Sequence, residues 1–228
     1  MQSLRLTAVF ALLQCCALPI TAQTASFPLQ ETWEKGYPQP TGTTLGLWHF
    51  DADKGLEDAS GKGNSLTLRG SELAGKGRFG GGLLGHPGFP VQDKAHGATT
   101  AAKPASLSPK GAFTMEMWLQ PSAELSPELR SYLLDKKYVD HTDYQWQLSE
   151  ADKAGFRRMF VTLGFAAESK VFYSNPLKLE TTQWHHVAFT YDAAGEGRFF
   201  VDGQAWGTMR HIGFGAVTPG VKALCIGD

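Results

Sequence analysis

The chain has 228 residues, a formal net charge of −1 and 42% hydrophobic residues. This length suits one domain with a full-sized core, and the near balance of charge gives no electrostatic reason to expect nucleic acid or an anionic membrane surface as a partner. The 26 glycines and 12 prolines, with 11% aromatic residues, favour a turn-rich β protein over a helical one.

The first residues have the pattern of a secretory signal peptide. Arg5 supplies the basic start, residues 6–18 are mostly apolar, and Thr21 and Ala22 are small residues suited to cleavage. We therefore predict a signal peptide over residues 1–22 and a secreted protein, extracellular or periplasmic. The apolar run is too short for a comfortable membrane span, so no transmembrane segment is expected. A buried first strand is the alternative interpretation.

The positions of the three cysteines determine whether the exported domain could form a disulfide. Cys15 and Cys16 lie within the predicted signal peptide, so only Cys225 would remain after cleavage. With one cysteine the mature domain cannot form an intramolecular disulfide, although export would permit one.

Three stretches that follow the predicted signal peptide have different sequence patterns. Residues 23–43 contain prolines and glycines and predict a linker or leading arm. A first strand is expected over residues 45–51, with Trp48 and Phe50 on one face. Residues 85–109 show no clear period and predict a long loop, which in a compact domain is often functional.

The middle of the chain predicts strands by its period-two pattern. In residues 112–119, Phe113 and Met117 share one face while Trp118 lies on the other, and apolar groups on both faces indicate a central strand between two layers. A short helical turn is expected at residues 126–131. Further strands are predicted at residues 65–68, 131–135, 144–148, 158–165 and 170–174.

A three-stranded meander is predicted near the carboxyl end. Residues 184–201 read as two alternating strands joined by a tight turn, and Asp202-Gly203 is a strong hairpin signal that returns the chain through residues 204–206. Residues 221–226 are the last candidate strand. About a dozen short strands with no convincing long helix predict an all-β, two-sheet antiparallel sandwich or jelly roll.

Several stretches resemble a known family. They are LWHFD (47–51) with DASGKGN (58–64), GRFG (77–80), FTMEMW (113–118) before Pro121, and WHHVA (184–188) with TYD (190–192) and FVDG (200–203). Together, over residues 44–228, they resemble the LamG-like jelly rolls of the concanavalin A-like lectin/glucanase superfamily. The resemblance implies a concanavalin A-like two-sheet sandwich. Members usually continue past the position of residues 226–228 into one more strand. We therefore expect the domain to lack its final strand, or to leave a sheet edge open to association with another chain.

The sequence does not contain a complete set of catalytic residues. The enzymatic branch of the superfamily resembles retaining glucanases, which place carboxylates at alternate positions of one strand. Here Glu116 stands alone, because Trp118 occupies the alternate position. His185 and His186 are adjacent, so on a strand they would point to opposite faces and could not easily share one metal ion. We expect no catalytic residues and no enzyme, with a glycoside hydrolase of the same superfamily as an alternative.

The acidic loop at residues 51–58 is the best candidate for a bound ion. Ca²⁺ takes oxygen ligands from carboxylates and backbone carbonyls, and neighbouring glycines would let carbonyls turn inward. We predict a structural Ca²⁺ with Asp51 and Asp58 as the leading ligands and Asp228 as a more distant one. The alternative is a solvated turn in which Asp58 caps its own backbone.

A sugar-binding surface would need exposed aromatic rings beside polar groups. The candidate rings are Tyr138, Tyr144, Trp146, Tyr173 and Trp206. Most aromatic residues at strand spacing belong to the core, and Tyr138, in a polar loop, is the one expected to be exposed.

Three of these residues, Tyr138, Trp146 and Trp206, are the predicted ligand-binding residues. The leading hypothesis is a secreted, non-catalytic lectin-like domain that binds a glycan or a cell-surface or extracellular protein. A structural or adhesive module of a longer exported protein is a further alternative, because one fold hosts many functions.

Overall fold

The computed structural model describes residues 4–7, 13–14, 37–85, 97–100, 105–122 and 125–227, and this part of the chain is built of strands. In chain order they are β1 (Leu4–Thr7), β2 (Leu13–Gln14), β3 (Leu66–Arg69), β4 (Leu73–Ala74), β5 (Gly82–Gly85), β6 (Gly97–Thr100), β7 (Phe113–Gln120), β8 (Ser131–Asp135), β9 (Tyr144–Leu148), β10 (Met159–Gly164), β11 (Ser169–Tyr173), β12 (His185–Tyr191), β13 (Glu196–Val201), β14 (Gln204–Arg210) and β15 (Cys225–Ile226). Within the described ranges, the 3-10 turn Ala105–Leu107 is the one helical segment.

The strands form two sheets. Sheet A has the order β14-β13-β12-β7-β1-β5-β4, with β2 also paired to β7, and sheet B has the order β11-β10-β9-β8-β15-β6-β3. The named strands pair antiparallel throughout. The predicted all-β, two-sheet antiparallel sandwich is thereby confirmed.

One hydrophobic core lies between the sheets. Met117 and Phe189 of sheet A and Trp146, Val161 and Phe172 of sheet B are all fully buried in it. The rings of Phe172 and Phe189 meet across the layers, with centroids 5.6 Å apart. Because alternate strand residues face the same side, the period-two apolar pattern of the sequence fixes which side of each strand enters this core.

Strand β7 is central, as its two apolar faces predicted. It pairs with β12 at seven consecutive positions on one side and with β1 and β2 on the other. The predicted meander β12–β13–β14 is present too. Its second turn places Asp202 at φ 49° and Gly203 at φ 78°, the backbone that a two-residue hairpin turn requires.

The predicted strand at residues 45–51 is wrong. Trp48 and Phe50 are fully buried as expected, but the backbone there makes loop hydrogen bonds instead of a ladder. The Leu47 N–H donates to the Asp58 carboxylate at 3.1 Å, and the Phe50 N–H donates to the Gly55 carbonyl at 3.1 Å. Phe50 has φ 58°, outside the extended region that a strand needs.

Two other local predictions need correction. The expected helical turn at residues 126–131 is an irregular turn followed by β8. The expected long loop at residues 85–109 contains β6, which pairs with β3 and β15 inside sheet B. Short Thr-containing strands of this kind lack the alternation that marks longer ones.

The amino-terminal strand is unexpected in its position. β1 lies inside sheet A, between β5 and β7, although its residues belong to the predicted signal peptide. The cleavage position at Ala22 and most of the predicted linker at residues 23–43 lie outside the described residues, so the signal peptide stays a prediction. Within the described ranges, no helix is both long enough and apolar enough to cross a membrane.

Candidate ligand-binding face

The solvent-facing side of sheet B carries a row of aromatic and amide side chains across four strands. Tyr132 of β8 lies opposite Gln147 of β9, Gln147 lies opposite Phe160 of β10, and Phe160 lies opposite Tyr173 of β11. Directly opposite residues in an antiparallel ladder share a face. We call these four residues the aromatic–amide row. Tyr173 is 43% exposed, and the other three are partly exposed.

The row results from the alternation of buried and partly exposed residues along β9 and β10. In β9 the residues flanking the glutamines are buried, while Gln145 and Gln147 are partly exposed. In β10 Phe160 and Thr162 occupy the equivalent partly exposed positions. The rings of Phe160 and Tyr173 meet edge to face, with centroids 4.9 Å apart, a geometry that aromatic pairs prefer. This contact sets the relative orientation of the two rings.

A chain of hydrogen bonds fixes the amides. The Gln147 side-chain amide donates to the Gln145 carbonyl oxygen, and the Gln145 amide donates to Asp135 Oδ2 at 2.9 Å. Asp135 Oδ1 accepts from the backbone N–H groups of Lys137 at 2.8 Å and Tyr138 at 2.7 Å. Because each amide has a set orientation, the row presents its remaining donors and acceptors in a defined pattern.

The loop between β8 and β9 borders the row and has a rigid base. Lys136 Nζ and Asp143 Oδ2 form a fully buried ion pair at 2.7 Å. Lys136 Nζ also donates to Ser108 Oγ at 3.1 Å, and the Gly220 N–H donates to Asp143 Oδ2 at 2.9 Å. The loop tip is open to solvent, with Tyr138 67% exposed.

The predicted ligand-binding residues fall in three different places. Tyr138 is exposed, as expected, and its N–H contacts Asp135 beside the aromatic–amide row. Trp146 is fully buried in the core, so its choice as a surface residue was wrong: it lies on the opposite side of β9 from Gln145 and Gln147. Trp206 is partly buried, and its indole N–H donates to the Pro176 carbonyl at 3.2 Å.

The chain brings Trp206 near the far end of the row. The Asn175 N–H donates to the Trp206 carbonyl at 2.8 Å, and Asn175 lies two residues beyond Tyr173. Part of the Trp206 ring packs against the core. It therefore borders the edge of sheet B, whereas Tyr138 lies in the loop that follows β8, next to Asp135.

The predicted calcium ligands already accept hydrogen bonds. Asp58 accepts from the N–H groups of Leu47 and Ser60 through Oδ1 and from Asn64 through Oδ2, at 3.1, 2.9 and 2.9 Å. This is the capped turn that was the alternative interpretation of the loop. Asp51 Oδ1 accepts from the Tyr37 hydroxyl at 2.5 Å and the Gly81 N–H at 2.9 Å.

These contacts leave the calcium site as a prediction. Asp228 lies outside the described residues. Within the part of the chain that the structure describes, no three His, Cys, Asp or Glu side chains gather as a metal site would require. Burial raises the pKa of Tyr37 well above its ordinary value, and its hydrogen bond to Asp51 adds to that rise, so Tyr37 remains a hydrogen-bond donor to Asp51.

The two adjacent histidines point to different surroundings, as predicted. His186 lies beside Glu116, with Nε2 and Oε2 3.4 Å apart, and against the Trp118 ring. His185 Nδ1 contacts Asp202 Oδ2 at 2.9 Å. The hydrogen bond with Asp202 raises the pKa of His185 against the opposing effect of burial. Both histidines thus have local partners on separate sides of β12.

Most of the aromatic–amide row is not predicted from the sequence. Tyr173 is among the candidate rings, but Tyr132, Phe160 and Gln147 of the row, and the neighbouring Gln145, are not among the predicted ligand-binding residues. The alternation of Tyr144, Trp146 and Leu148 with two glutamines was the available signal, since it places both amides on one outward face. The cross-strand register that adds Phe160 and Tyr132 requires tertiary pairing.

Solved structures of similar fold were found by comparison. The binding domain of botulinum neurotoxin serotype G matches with a TM-score of 0.56 and 12% identity, covering 76% of this chain and 41% of that one. The binding domain of Paraclostridial Mosquitocidal Protein 1 matches with a TM-score of 0.53 and 14% identity, covering 74% and 40%. The binding domain of botulinum neurotoxin serotype C1 matches with a TM-score of 0.50 and 11% identity, covering 74% and 39%. The chain thus spans about two fifths of each of these structures, and the likeness shows a shared fold.

The sequence itself was compared with curated proteins and with family models. A comparison with curated proteins found no match. The Laminin_G_3 model, described as concanavalin A-like lectin/glucanases superfamily, matches residues 93–228. That is more than half of the chain, and it includes β7 and every strand of the aromatic–amide row. The chain therefore belongs to the Laminin_G_3 family of the concanavalin A-like lectin/glucanases superfamily.

Proposed function

We propose that this protein is a secreted, non-catalytic carbohydrate-binding domain whose contact surface is the aromatic–amide row. The observation that carries the proposal is the placement of Phe160 and Tyr173 beside orientated glutamine amides on the solvent-facing side of sheet B. The similar structures named above are binding domains, which agrees with a recognition role.

The row combines the two kinds of contact that a sugar ring needs. Aromatic faces pack against the apolar C–H side of a pyranose and bury area without charge. Amide groups held by neighbours donate to and accept from its hydroxyls, which fixes the ligand's orientation. Gln145 and Gln147 are held through Asp135, so little side-chain freedom is lost when they bind.

The row also suggests how the ligand lies. Tyr132 on β8 and Tyr173 on β11 are three strand spacings apart, a distance of roughly 14 Å at the usual spacing of strands. A short linear oligosaccharide lying across the strands fits this length better than a single sugar. Tyr138 on the adjoining loop would then contact the sugar unit that lies nearest Asp135.

Export remains part of the proposal. A signal peptide over residues 1–22 would bring the domain to an extracellular or periplasmic space, where glycans and cell-surface proteins are available. A cell-surface or extracellular protein is the other class of partner, and binding to a deglycosylated surface with no affinity for free glycans would favour it.

Binding to linear oligosaccharides tests the proposal. A glycan array identifies a ligand, and calorimetry compares wild type with Phe160→Ala and Tyr173→Ala. Each change should weaken binding by about tenfold or more, as for aromatic anchors at other interfaces. Thr114→Ala, on the outward side of β7 in sheet A, is the matched control and should bind like wild type.

Two results would refute the assignment. One is the lack of any glycan signal with folded protein at high concentration. The other is an equal loss in the Thr114→Ala control, which would place the ligand elsewhere or indicate a general loss of folding. Release of reducing sugar from the bound oligosaccharide would instead favour the glycoside hydrolase alternative.

A further inference from the structure

Lys136 and Asp143 lie at the two ends of the loop between β8 and β9, and the protein closes completely over both. Each residue is 0% exposed, and Lys136 Nζ lies 2.7 Å from Asp143 Oδ2. Removing two charges from water is costly, and their mutual attraction offsets this cost only if their remaining hydrogen-bonding groups are satisfied as well. The other contacts of the two side chains therefore decide how well the site suits a pair of ions.

The carboxylate is only half satisfied. Asp143 Oδ2 accepts hydrogen bonds from Lys136 Nζ and from the Gly220 N–H, the latter at 2.9 Å. Asp143 Oδ1 is buried and has no hydrogen-bond partner among the described residues. Lys136 Nζ donates to Ser108 Oγ at 3.1 Å as well, so the described residues accept two of the three hydrogens that an ammonium group carries. As two ions, the pair buries polar atoms that these residues do not satisfy.

An amide between the two side chains would match this site better. A bond from Lys136 Nζ to Asp143 Cγ, with loss of Oδ1, leaves one oxygen and one N–H. The oxygen is Oδ2, which already accepts from the Gly220 N–H, and the remaining N–H can still donate to Ser108 Oγ. Both charges disappear, and each polar atom that remains has a partner in the present structure.

The backbone holds the two groups together. The Lys136 N–H donates to the Tyr144 carbonyl at 3.0 Å, and the Asp143 N–H donates to the Thr218 carbonyl at 2.8 Å. The Asp143 carbonyl accepts from the Gly164 N–H at 2.9 Å. Groups that a fold holds in contact react as if they were present at very high concentration, with effective molarities of roughly 10⁵ M or more when they are well oriented.

We propose that Lys136 and Asp143 become joined by an amide bond after folding, so that the loop at residues 137–142 is closed covalently at its base. Within the pair, a proton passes from Nζ to the carboxyl group and leaves a neutral amine, which is the nucleophilic form of lysine. Nζ then attacks Cγ, the Cγ–Oδ1 bond breaks, and Oδ1 leaves as water with the transferred proton and one amine hydrogen. The step needs no oxidant, reductant or second substrate, and the inference does not depend on the carbohydrate proposal.

A second lysine–aspartate pair at the same loop provides an internal control. Lys222 Nζ and Asp140 Oδ2 lie 3.6 Å apart, and their side chains are 47% and 41% exposed. Water solvates both ions there, and long exposed side chains do not keep one fixed geometry. We expect no amide at this pair.

Intact-mass spectrometry of the full chain under denaturing conditions tests the proposal. Lys136→Gln is the reference variant, because glutamine and lysine have nearly equal masses and a glutamine amide does not attack a carboxyl group. Wild type should be lighter than this variant by the mass of one water. The comparison holds whether or not a signal peptide is removed from both chains, and the variant need not fold, because the mass is measured on denatured protein.

A tryptic digest then locates the bond. In an unlinked chain, cleavage after Lys136 and Lys137 separates residues 131–136 from residues 138–153. An amide on Lys136 blocks the cut after it, so wild type should give one branched peptide that contains residues 131–137 and 138–153. Lys222 and Asp140 should remain in separate peptides.

Two results would overturn the proposal. One is a wild-type mass equal to that of Lys136→Gln, even if both are lighter than their sequences by one water, because a cyclic imide elsewhere, such as at Asp202-Gly203, would persist in the variant. The other is a lighter wild type from which residues 131–136 are still recovered as a free peptide, since the water would then have come from another site.

Discussion

Single carboxylates organise the loops of this protein. Asp58 joins three backbone N–H groups from Leu47, Ser60 and Asn64, and Asp135 joins a loop to the amides of the proposed binding row. Neither role depends on a long-range charge partner, because the acceptors satisfy backbone donors that a loop leaves unpaired. Sequence analysis could anticipate the Asp58 turn from its Ser and Gly neighbours, and gave it as the alternative.

Asp58→Asn should lower the free energy of unfolding by about 1–3 kcal/mol, because one oxygen acceptor replaces two charged ones among three partly buried hydrogen bonds. Urea denaturation measures the loss, and Asp53→Asn, at an exposed position of the same loop, should change stability little. A loss no larger than that of the control would contradict the capping role. The predicted calcium site has a separate test. A Tm that Ca²⁺ raises in wild type but not in Asp58→Asn would support a bound Ca²⁺.

The His185–Asp202 pair makes one hairpin end sensitive to pH. The hydrogen bond with Asp202 raises the pKa of His185, so the contribution of His185 to stability is complete below the ordinary histidine pKa of about 6.5 and is lost as pH rises through the raised value. For Asp202, burial raises the pKa, but hydrogen bonds from His185 and the His186 N–H outweigh it and leave the pKa lowered. Its contribution is present above the ordinary aspartate pKa and is lost as pH falls through the lowered value.

His185→Gln should therefore destabilise the protein more at pH 5.5 than at pH 8.5. The difference should be about 1 kcal/mol or less, since Asp202 is nearly half exposed and solvent screens the pair. Urea unfolding at both pH values measures it. Asp202→Asn removes the same pair and must show the same trend, with a residual loss at pH 8.5 from its bond to the His186 N–H. A loss that grows with pH in either variant would refute this account.

At the scale of elements, close packing between the sheets limits the size of the side chain that a strand position can accommodate. Gly197 of β13 is buried against two rings, and an added Cβ there would lie 2.6 Å from Phe172 and 2.7 Å from Phe189. Both rings belong to the core that joins the two sheets. The glycine at this position thus reflects the close approach of two rings to the strand.

Gly197→Ala should cost about 1–3 kcal/mol by overpacking this contact. Thermal denaturation followed by circular dichroism measures the change in Tm. Gly75→Ala is the matched control, because an added Cβ there meets nothing within 4 Å. Equal Tm values for the two variants would show that the rings move aside without cost.

The loop between β8 and β9 depends on a charge pair inside the protein. Lys136→Met should destabilise by about 3–5 kcal/mol, because it leaves Asp143 charged and buried without its partner. Lys222→Met breaks an exposed contact with Asp140 at 3.6 Å and should cost about 1 kcal/mol or less. Denaturant unfolding of both variants measures the two losses in the free energy of unfolding. Similar losses would mean that water reaches Asp143 when the lysine is removed.

The predicted strand bounds are most accurate in the second half of the chain. β8 and β9 have the predicted bounds, and β12 differs by one residue at its start. In β9 the period-two pattern reports burial directly. The expected strand at residues 45–51 failed although its aromatic residues are buried: burial does not require a ladder when a neighbouring carboxylate and turn satisfy the backbone. The short β6 was missed because its pairing comes from distant strands.

At the scale of the whole molecule, local sequence patterns are enough to predict the fold class, but they do not predict which strands pair with one another. Alternation identifies which side of β9 is outward, yet the cross-strand register with β8 and β10 decides which rings stand beside its glutamines. In the same way, the apolar pattern of residues 1–22 predicts a signal peptide, and nothing in that pattern indicates that Leu4–Thr7 pairs with β5 and β7 in sheet A. Long-range pairing is the information that local patterns lack.

The two layers also divide the outside of the molecule. The aromatic–amide row faces away from the core on sheet B, and the outward side of sheet A carries none of its residues. A polysaccharide held on the one flank would therefore leave the opposite flank uncovered.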